Sequence, residues 1–199
     1  MTITYVYEDK LYLNITNQCT NACDFCVRTT NDGYYSENSL WLEREPTCEE
    51  ILADIFSHDL SRYTEMVFCG YGEPTCRLDV MLRVCRQVRE RSDIRIRVNT
   101  NGQSDLIWGR DTAPDFAGLV DILSISLNTA DAVSYQKLCH CQYGEAAYDA
   151  LLRFAAHAKQ YVPTVQLSVV RTTISDEDIE KCRTMAHQLG VILRVRELV

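Results

Sequence analysis

The chain has 199 residues, of which 46% are hydrophobic and 24% charged, and a formal net charge of -8. That length and composition describe one globular domain with a sizeable core, not a disordered or fibrous chain. The acidic balance argues against broad nonspecific nucleic-acid binding, no apolar run approaches a membrane span, and the start "MTITYVYEDK" lacks the basic-then-apolar pattern of a secretory signal.

Short β-rich runs alternate with helical periodicity along the chain. Thr2–Tyr7 is predicted to pair with Leu11–Ile15 across the polar turn Glu8-Asp9-Lys10. A helix over Cys48–Leu60 opens on Thr47 as N-cap, with Glu49 and Glu50 in its first turn. The apolar run Met66–Cys69 reads as a buried strand, followed by a helix over Leu78–Arg91 and strands at Ile94–Val98 and Ile122–Ser126. A helix over Gly144–Tyr161, a strand at Val165–Val170, a helix over Asp176–Leu189 and a strand at Ile192–Arg196 complete the pattern. Ser175 is the N-cap of the last helix and Gly190 its C-cap.

This alternation predicts an α/β fold: a partial, open TIM-type barrel of about six parallel strands with outer helices, forming one domain over residues 1–199. Sites in such folds form at the carboxyl ends of strands. Five polar segments fall there: the Cys19–Cys26 loop, Gly70–Pro74, Asn99–Gly102, Ser126–Thr129 and Val169–Thr173.

The most informative segment is "TNQCTNACDFC", which places Cys19, Cys23 and Cys26 as Cys-x3-Cys-x2-Cys. Three thiolates at this spacing can hold three irons of a 4Fe–4S cluster and leave the fourth open to a small molecule, which a four-cysteine cluster cannot do. Phe25, just before the last cysteine, fits that reading. A zinc knuckle or three unrelated thiols is the alternative on spacing alone. Gly70-Tyr71-Gly72-Glu73-Pro74 follows the Met66–Cys69 strand. Glycines past a strand let backbone approach a ligand closely, and a carboxylate there suits a ligand ammonium.

Together these segments resemble the radical S-adenosylmethionine (SAM) superfamily, in which the open iron chelates SAM and an electron cleaves it to a 5′-deoxyadenosyl radical. The resemblance implies Cys19, Cys23 and Cys26 as cluster ligands and Gly70, Gly72, Glu73 and Pro74 as the segment that meets the SAM amine. It also implies Ser126 and Asn128 ("SLN") and Thr100 ("TNG") as further SAM contacts, Asn128 toward the ribose. For Asn101-Gly102 a simple turn role is the alternative. Lys137 or Arg171 is the candidate for the SAM carboxylate, with a solvated surface charge as the alternative for each.

The similarity extends further. "FCVRTTNDG", "LWLEREPT", "FCGYGEPT", "SLNTADAVSYQKLC", "YGEAAYDALLRF" and "LGVILRVREL" resemble the TatD-associated (TatD-linked) radical SAM proteins. The stretch "TTNDGYYSEN" and Cys141 depart from that pattern. The resemblance implies a functional link to a TatD-type hydrolase and an electron donor such as flavodoxin or ferredoxin. It leaves the substrate open.

The connection Val27–Pro46 is long for a compact domain, which suggests a lid. Within it, Trp41 and Leu42 read as core anchors. Arg28 either binds an anionic group, tunes the cluster or pairs with an acid. Ten cysteines in so regular a chain fit a reducing cytoplasm better than a disulfide scaffold. Cys48, Cys85 and Cys182 fall on helical patterns as small core residues, and Cys69 and Cys76 lie near the rim. Cys139-His140-Cys141 is a possible second metal pattern. His58, His157 and His187 read as solvent-facing or satisfied.

Three functions compete at this stage: a radical SAM enzyme, an activase that installs a glycyl radical on a partner protein, and a noncatalytic zinc or iron–sulfur module. The last leaves "GYGEP" and "SLN" unexplained.

Overall fold

The computed structural model describes residues 1–30 and 39–197. Strands β1 (Thr4–Tyr7), β2 (Lys10–Leu13), β3 (Glu65–Phe68), β4 (Arg95–Thr100), β5 (Ile122–Ser126), β6 (Thr164–Val170) and β7 (Ile192–Arg196) form one sheet whose spatial order is the chain order. β1 and β2 pair antiparallel, Thr4 opposite Leu13, while β2 through β7 run parallel. The predicted hairpin is present, but its turn is tighter than expected. Lys10 belongs to β2, and Glu8 takes a positive φ of 55°.

Helices fill the crossovers: α1 (Val27–Thr30), α2 (Cys48–Ile55), α3 (Leu78–Arg89), α4 (Ser104–Trp108), α5 (Ala132–Cys139), α6 (Ala146–Ala158) and α7 (Asp176–Leu189). Their apolar sides and the outer face of the sheet share one core that includes Met66, Ile96, Leu123, Leu167, Met81, Leu151 and Phe154. The helices therefore cover one face only, and the other face is left free to line a cavity. At the β1–β2 end of that inner face a second, small cluster of Tyr5, Leu40 and Tyr71 closes the wall. No helix among the described residues is long and apolar enough to cross a membrane.

The caps read from sequence are in place. The Thr47 hydroxyl accepts from the Glu50 N–H, and the Glu50 side chain returns to the Thr47 N–H, a reciprocal box. Ser175 caps α7, and Gly190 ends it in the left-handed region at φ 69°. We expect Thr47→Ala to lower stability by about 1 kcal/mol, read as a denaturation midpoint shift with an unchanged slope.

Candidate active site

The three cysteines of the loop after β2 line one cavity of about 240 Å³ on the inner face of the sheet. The rest of its wall comes from strand ends, as the parallel topology requires: Gly70 to Glu73 after β3, Asn99 and Thr100 on β4, Ser124 and Ser126 on β5, Ser168 on β6, and Arg194 and Arg196 on β7. Phe25 and Asn128 also line it.

The cysteine loop is held by its backbone. The N–H groups of Ala22 and Asp24 donate to the carbonyls of Cys139 (2.9 Å) and Leu138 (3.1 Å), which satisfies the open C-terminus of α5. The Arg28 guanidinium donates to the carbonyl of Asn21 at 3.1 Å and lies 3.5 Å from those of Asn17 and Tyr71. It braces the cysteine loop against the loop after β3, and among the described residues it forms no ion pair with an acid.

A buried polar network completes the frame. Asn101 Nδ2 donates to Thr20 Oγ1 at 2.7 Å, and Thr20 donates to Gln103 Oε1 at 2.5 Å. Gln103 Nε2 donates to Asn21 Oδ1 (2.9 Å) and the Tyr135 hydroxyl (3.0 Å), which also receives Asn21 Nδ2 at 3.0 Å. Thr20, Asn21, Gln103 and Tyr135 are all buried. These four residues were missed in the sequence reading. The one local hint was polar Thr20 and Asn21 lying between the cysteines.

The glycines of the loop after β3 are there for close approach. A Cβ on Gly72 would lie 2.3 Å from the Thr16 carbonyl oxygen and 2.7 Å from that of Gln18. One on Gly70 would meet the Asn14 side chain at 2.1 Å. Because the atoms facing Gly72 are backbone, neither loop can yield alone. We expect Gly72→Ala to separate the two loops, lower the melting temperature and reduce cluster loading, measured by calorimetry and by absorbance after reconstitution.

Glu73 is buried and surrounded by donors from its own chain. Oε1 accepts from the Thr75 N–H (3.0 Å) and from the hydroxyls of Thr75 and Thr100 (both 2.7 Å), and Oε2 accepts from the Asn101 N–H at 2.6 Å. Burial raises its carboxyl above the usual range, and these hydrogen bonds oppose the rise. One lone-pair direction on Oε2 is left for a ligand donor. Pro74 starts the short 3₁₀ turn that Glu73 caps. Thr100 is committed to Glu73, and Gly102, at φ 77°, is a packed turn glycine.

Neither Lys137 nor Arg171 lines this cavity. Lys137 lines a separate cavity with Asp24, Thr129 and Asp178, because α5 turns that side away from the sheet's inner face. Arg171 is exposed and paired with Glu197 (3.1 Å) and Asp176 (3.7 Å). The cavity's basic side chains are instead Arg194 and Arg196, which alternate along β7 and so share its inner face. Trp41 is also corrected. It is 44% exposed and packs edge-on to Tyr71 at 5.3 Å, whereas Leu42 is buried as expected. The tip Asp32–Asn38 of the expected lid, with Tyr34 and Tyr35, lies outside the described residues.

The thiols start neutral. Burial, then the Glu73 charge, pushes Cys19 up to about 12, and burial raises Cys26. Cys23 is raised by its hydrogen bond with Cys139 and by burial. Among the described residues no three His, Cys, Asp or Glu side chains converge on one ion. A 4Fe–4S cluster asks for something else, since each thiolate takes its own iron. Three thiols on one loop facing one cavity fit that group. Beside them Asn128, at φ 64° and 2% exposed, has a buried Oδ1 with no partner among the described residues, an acceptor suited to an organic ligand's N–H or O–H. Cys139 and Cys141 are buried, while the His140 ring turns outward to Asp24 at 2.7 Å, so the three do not form a second centre.

A half-open parallel barrel with three loop cysteines at its carboxyl-end rim defines a class of cluster-dependent α/β proteins. The sequence profile of the radical SAM superfamily matches residues 13–186. The chain belongs to that superfamily, whose members are enzymes that use a 4Fe–4S cluster and SAM. No curated protein matches the sequence. Among solved structures, Streptococcus suis SuiB bound to its precursor peptide SuiA is 16% identical with a TM-score of 0.72, covering 97% of this chain and 40% of that one. A radical SAM methyltransferase from Sphaerobacter thermophilus is 20% identical with a TM-score of 0.64, covering 96% and 57%. HydG, the [FeFe]-hydrogenase maturase from Carboxydothermus hydrogenoformans, is 16% identical with a TM-score of 0.67, covering 95% and 44%. These likenesses show the fold, and this chain spans only about two fifths to three fifths of their lengths.

Proposed function

We propose that this chain is the radical SAM domain of an enzyme that abstracts hydrogen from a substrate yet to be identified. The observation that carries the reading is the sharing of one cavity by three loop thiols, the glycine-rich backbone after β3 and the unpartnered Asn128 Oδ1. Bound there, the two cofactors supply reductive cleavage of SAM to a 5′-deoxyadenosyl radical.

The places of the chain's own residues support the following roles. Cys19, Cys23 and Cys26 hold the cluster. An amide N–H lies against one of its ligands: that of Asn21 donates to Cys19 Sγ at 3.5 Å. Gly70 and Gly72 let the backbone after β3 pack tightly on Asn14 and on the Thr16 and Gln18 carbonyls, which sets that backbone beside the SAM amine. Asn128 and Ser126 present polar atoms to the nucleoside, and Arg194 and Arg196 take the place first given to Lys137 and Arg171. Tyr5, Leu40 and Tyr71 shield one side of the cavity from water.

We further propose that residues 1–199 form one domain, served in the cytoplasm by a flavodoxin- or ferredoxin-type donor, with a functional link to a TatD-type hydrolase. The six quoted segments support that last assignment. An activase acting on a partner protein ranks lower, because the sequence carries no docking motif for one. The deciding experiment is anaerobic reconstitution. About four irons and four sulfides per chain, with 5′-deoxyadenosine formed from SAM on reduction, supports the proposal. Bound zinc alone, or an intact cluster that leaves SAM uncleaved, overturns it.

A further inference from the structure

We infer that Arg28 is a positioning residue for the cluster: its guanidinium, held against the cysteine loop by backbone carbonyls, raises the cluster's reduction potential through its positive charge. The inference rests on the proposed ligation by Cys19, Cys23 and Cys26 and extends it to a residue outside that ligand set.

Three carbonyls place this cation. Arg28 Nη2 donates to the Asn21 carbonyl at 3.1 Å, and Nη1 lies 3.5 Å from the carbonyls of Asn17 and Tyr71. Asn17 comes two residues before Cys19, Asn21 lies two residues from both Cys19 and Cys23, and Arg28 follows Cys26 by two. With consecutive Cα atoms about 3.8 Å apart, the bond to Asn21 sets the guanidinium within ~10 Å of the Cys23 Cα. The Tyr71 carbonyl adjoins Gly72, whose backbone packs on the carbonyls of Thr16 and Gln18. One guanidinium thus joins the start and middle of the cysteine loop to the loop after β3. A rigid, planar fork of donors suits carbonyls on two sides at once, which a lysine ammonium on a flexible stem does not.

The surroundings choose among the roles open to Arg28. It does not line the cavity, so it is not placed to take an anionic group of a ligand there. It is half-buried, and among the described residues it makes no ion pair. Carbonyl dipoles solvate a cation without bringing a countercharge, so its field reaches past them; a carboxylate partner would cancel most of that field at a distance. Reduction adds negative charge to a cluster already held by thiolates. A cation beside the loop stabilises the reduced form more than the oxidised one, which raises the potential. If Arg28 were only a brace, its charge would not matter, and lysine and glutamine in its place would give one potential.

The test is an EPR-monitored redox titration of the anaerobically reconstituted full chain, beside melting curves of the cluster-free chain. Wild type, Arg28→Lys, Arg28→Gln and Arg28→Met are compared at equal cluster content. All three substitutions break the fork, so all three should lower the melting temperature. The potential should divide them differently. We expect Arg28→Lys to stay near wild type, and Arg28→Gln and Arg28→Met to lower the reduced-to-oxidised ratio at fixed poise about fivefold, which is about 41 mV for one electron. The gap between the Lys and Gln variants should narrow as salt rises, because a half-buried charge is partly screened. Equal potentials in Arg28→Lys and Arg28→Gln, at whatever value, would overturn the inference. If the neutral variants do not load, iron content becomes the readout: loading in Arg28→Lys alone supports the charge, and failure of all three variants overturns it. A wild-type chain that assembles no 4Fe–4S cluster would overturn the ligand assignment instead.

Discussion

Replacing Cys19, Cys23 or Cys26 singly with Ala should abolish the absorbance of a reconstituted 4Fe–4S cluster while leaving the domain folded. Each thiolate holds a separate iron, so losing one leaves two irons without a protein ligand. The loop itself does not depend on the sulfurs. The buried hydrogen bonds of Thr20, Asn21, Gln103 and Tyr135, and the brace from Arg28, persist without them. Melting temperatures near wild type are therefore expected beside a near-complete loss of bound iron and sulfide. No neighbouring thiol is placed to substitute: Cys139 lies behind Cys23 and does not line the cavity, and Cys69 belongs to the opposite wall after β3. Because the thiols start neutral, loading releases protons and should strengthen as pH rises. Retention of a full cluster in any one of the three variants would remove that residue from the ligand set.

Glu73→Gln should act first on stability and only then on SAM. The sequence suggested a carboxylate waiting for a ligand ammonium, but the structure surrounds it with four protein donors. A glutamine puts an NH₂ where a buried N–H or O–H already points. At least one donor loses its acceptor, at a cost of about 1–3 kcal/mol. For a domain of this size each kcal/mol lowers the melting temperature by about 2–4 °C. The Glu73 contacts tie the loop after β3 to the end of β4, so cluster loading should fall with stability. An unchanged melting temperature together with a tenfold loss of SAM affinity would return Glu73 to direct ligand binding.

What could be read from the sequence divides by physics. Met66–Phe68, Leu123–Ile125 and Leu167–Val170 announce themselves as strands because the residues of the helix-covered face (Met66 and Phe68, Leu123 and Ile125, Leu167 and Val169) recur at every second position in short β-rich runs. The helices α2 and α7 show at their ends because capping is local chemistry. The extra helices α4 and α5 were not drawn. α4 has five residues, and α5 buries only Tyr135 and Cys139, too few to set up a clear stripe. The cysteine loop and "GYGEP" were legible because cofactor chemistry fixes their spacing. The network that supports them was not, since Asn21 and Tyr135 are 114 residues apart and polar side chains give no periodic signal. Arg194 and Arg196 were passed over for a related reason: an arginine on a last strand reads as solvated until the sheet curves it inward.

The docking of the cysteine loop onto the end of α5 also sets a timetable for biosynthesis. The thiols emerge early, but the carbonyls of Leu138 and Cys139 and the Tyr135 hydroxyl that hold their loop come much later. At ~5–20 residues per second, 114 residues take roughly 6–23 s to synthesise. Until then the nascent chain carries three thiols on an unanchored segment, and each later strand adds beside its predecessor because sheet order follows chain order. The geometry of the cysteine loop is therefore complete only once the fifth helix is made and docked, when five of the seven strands are already available to the sheet.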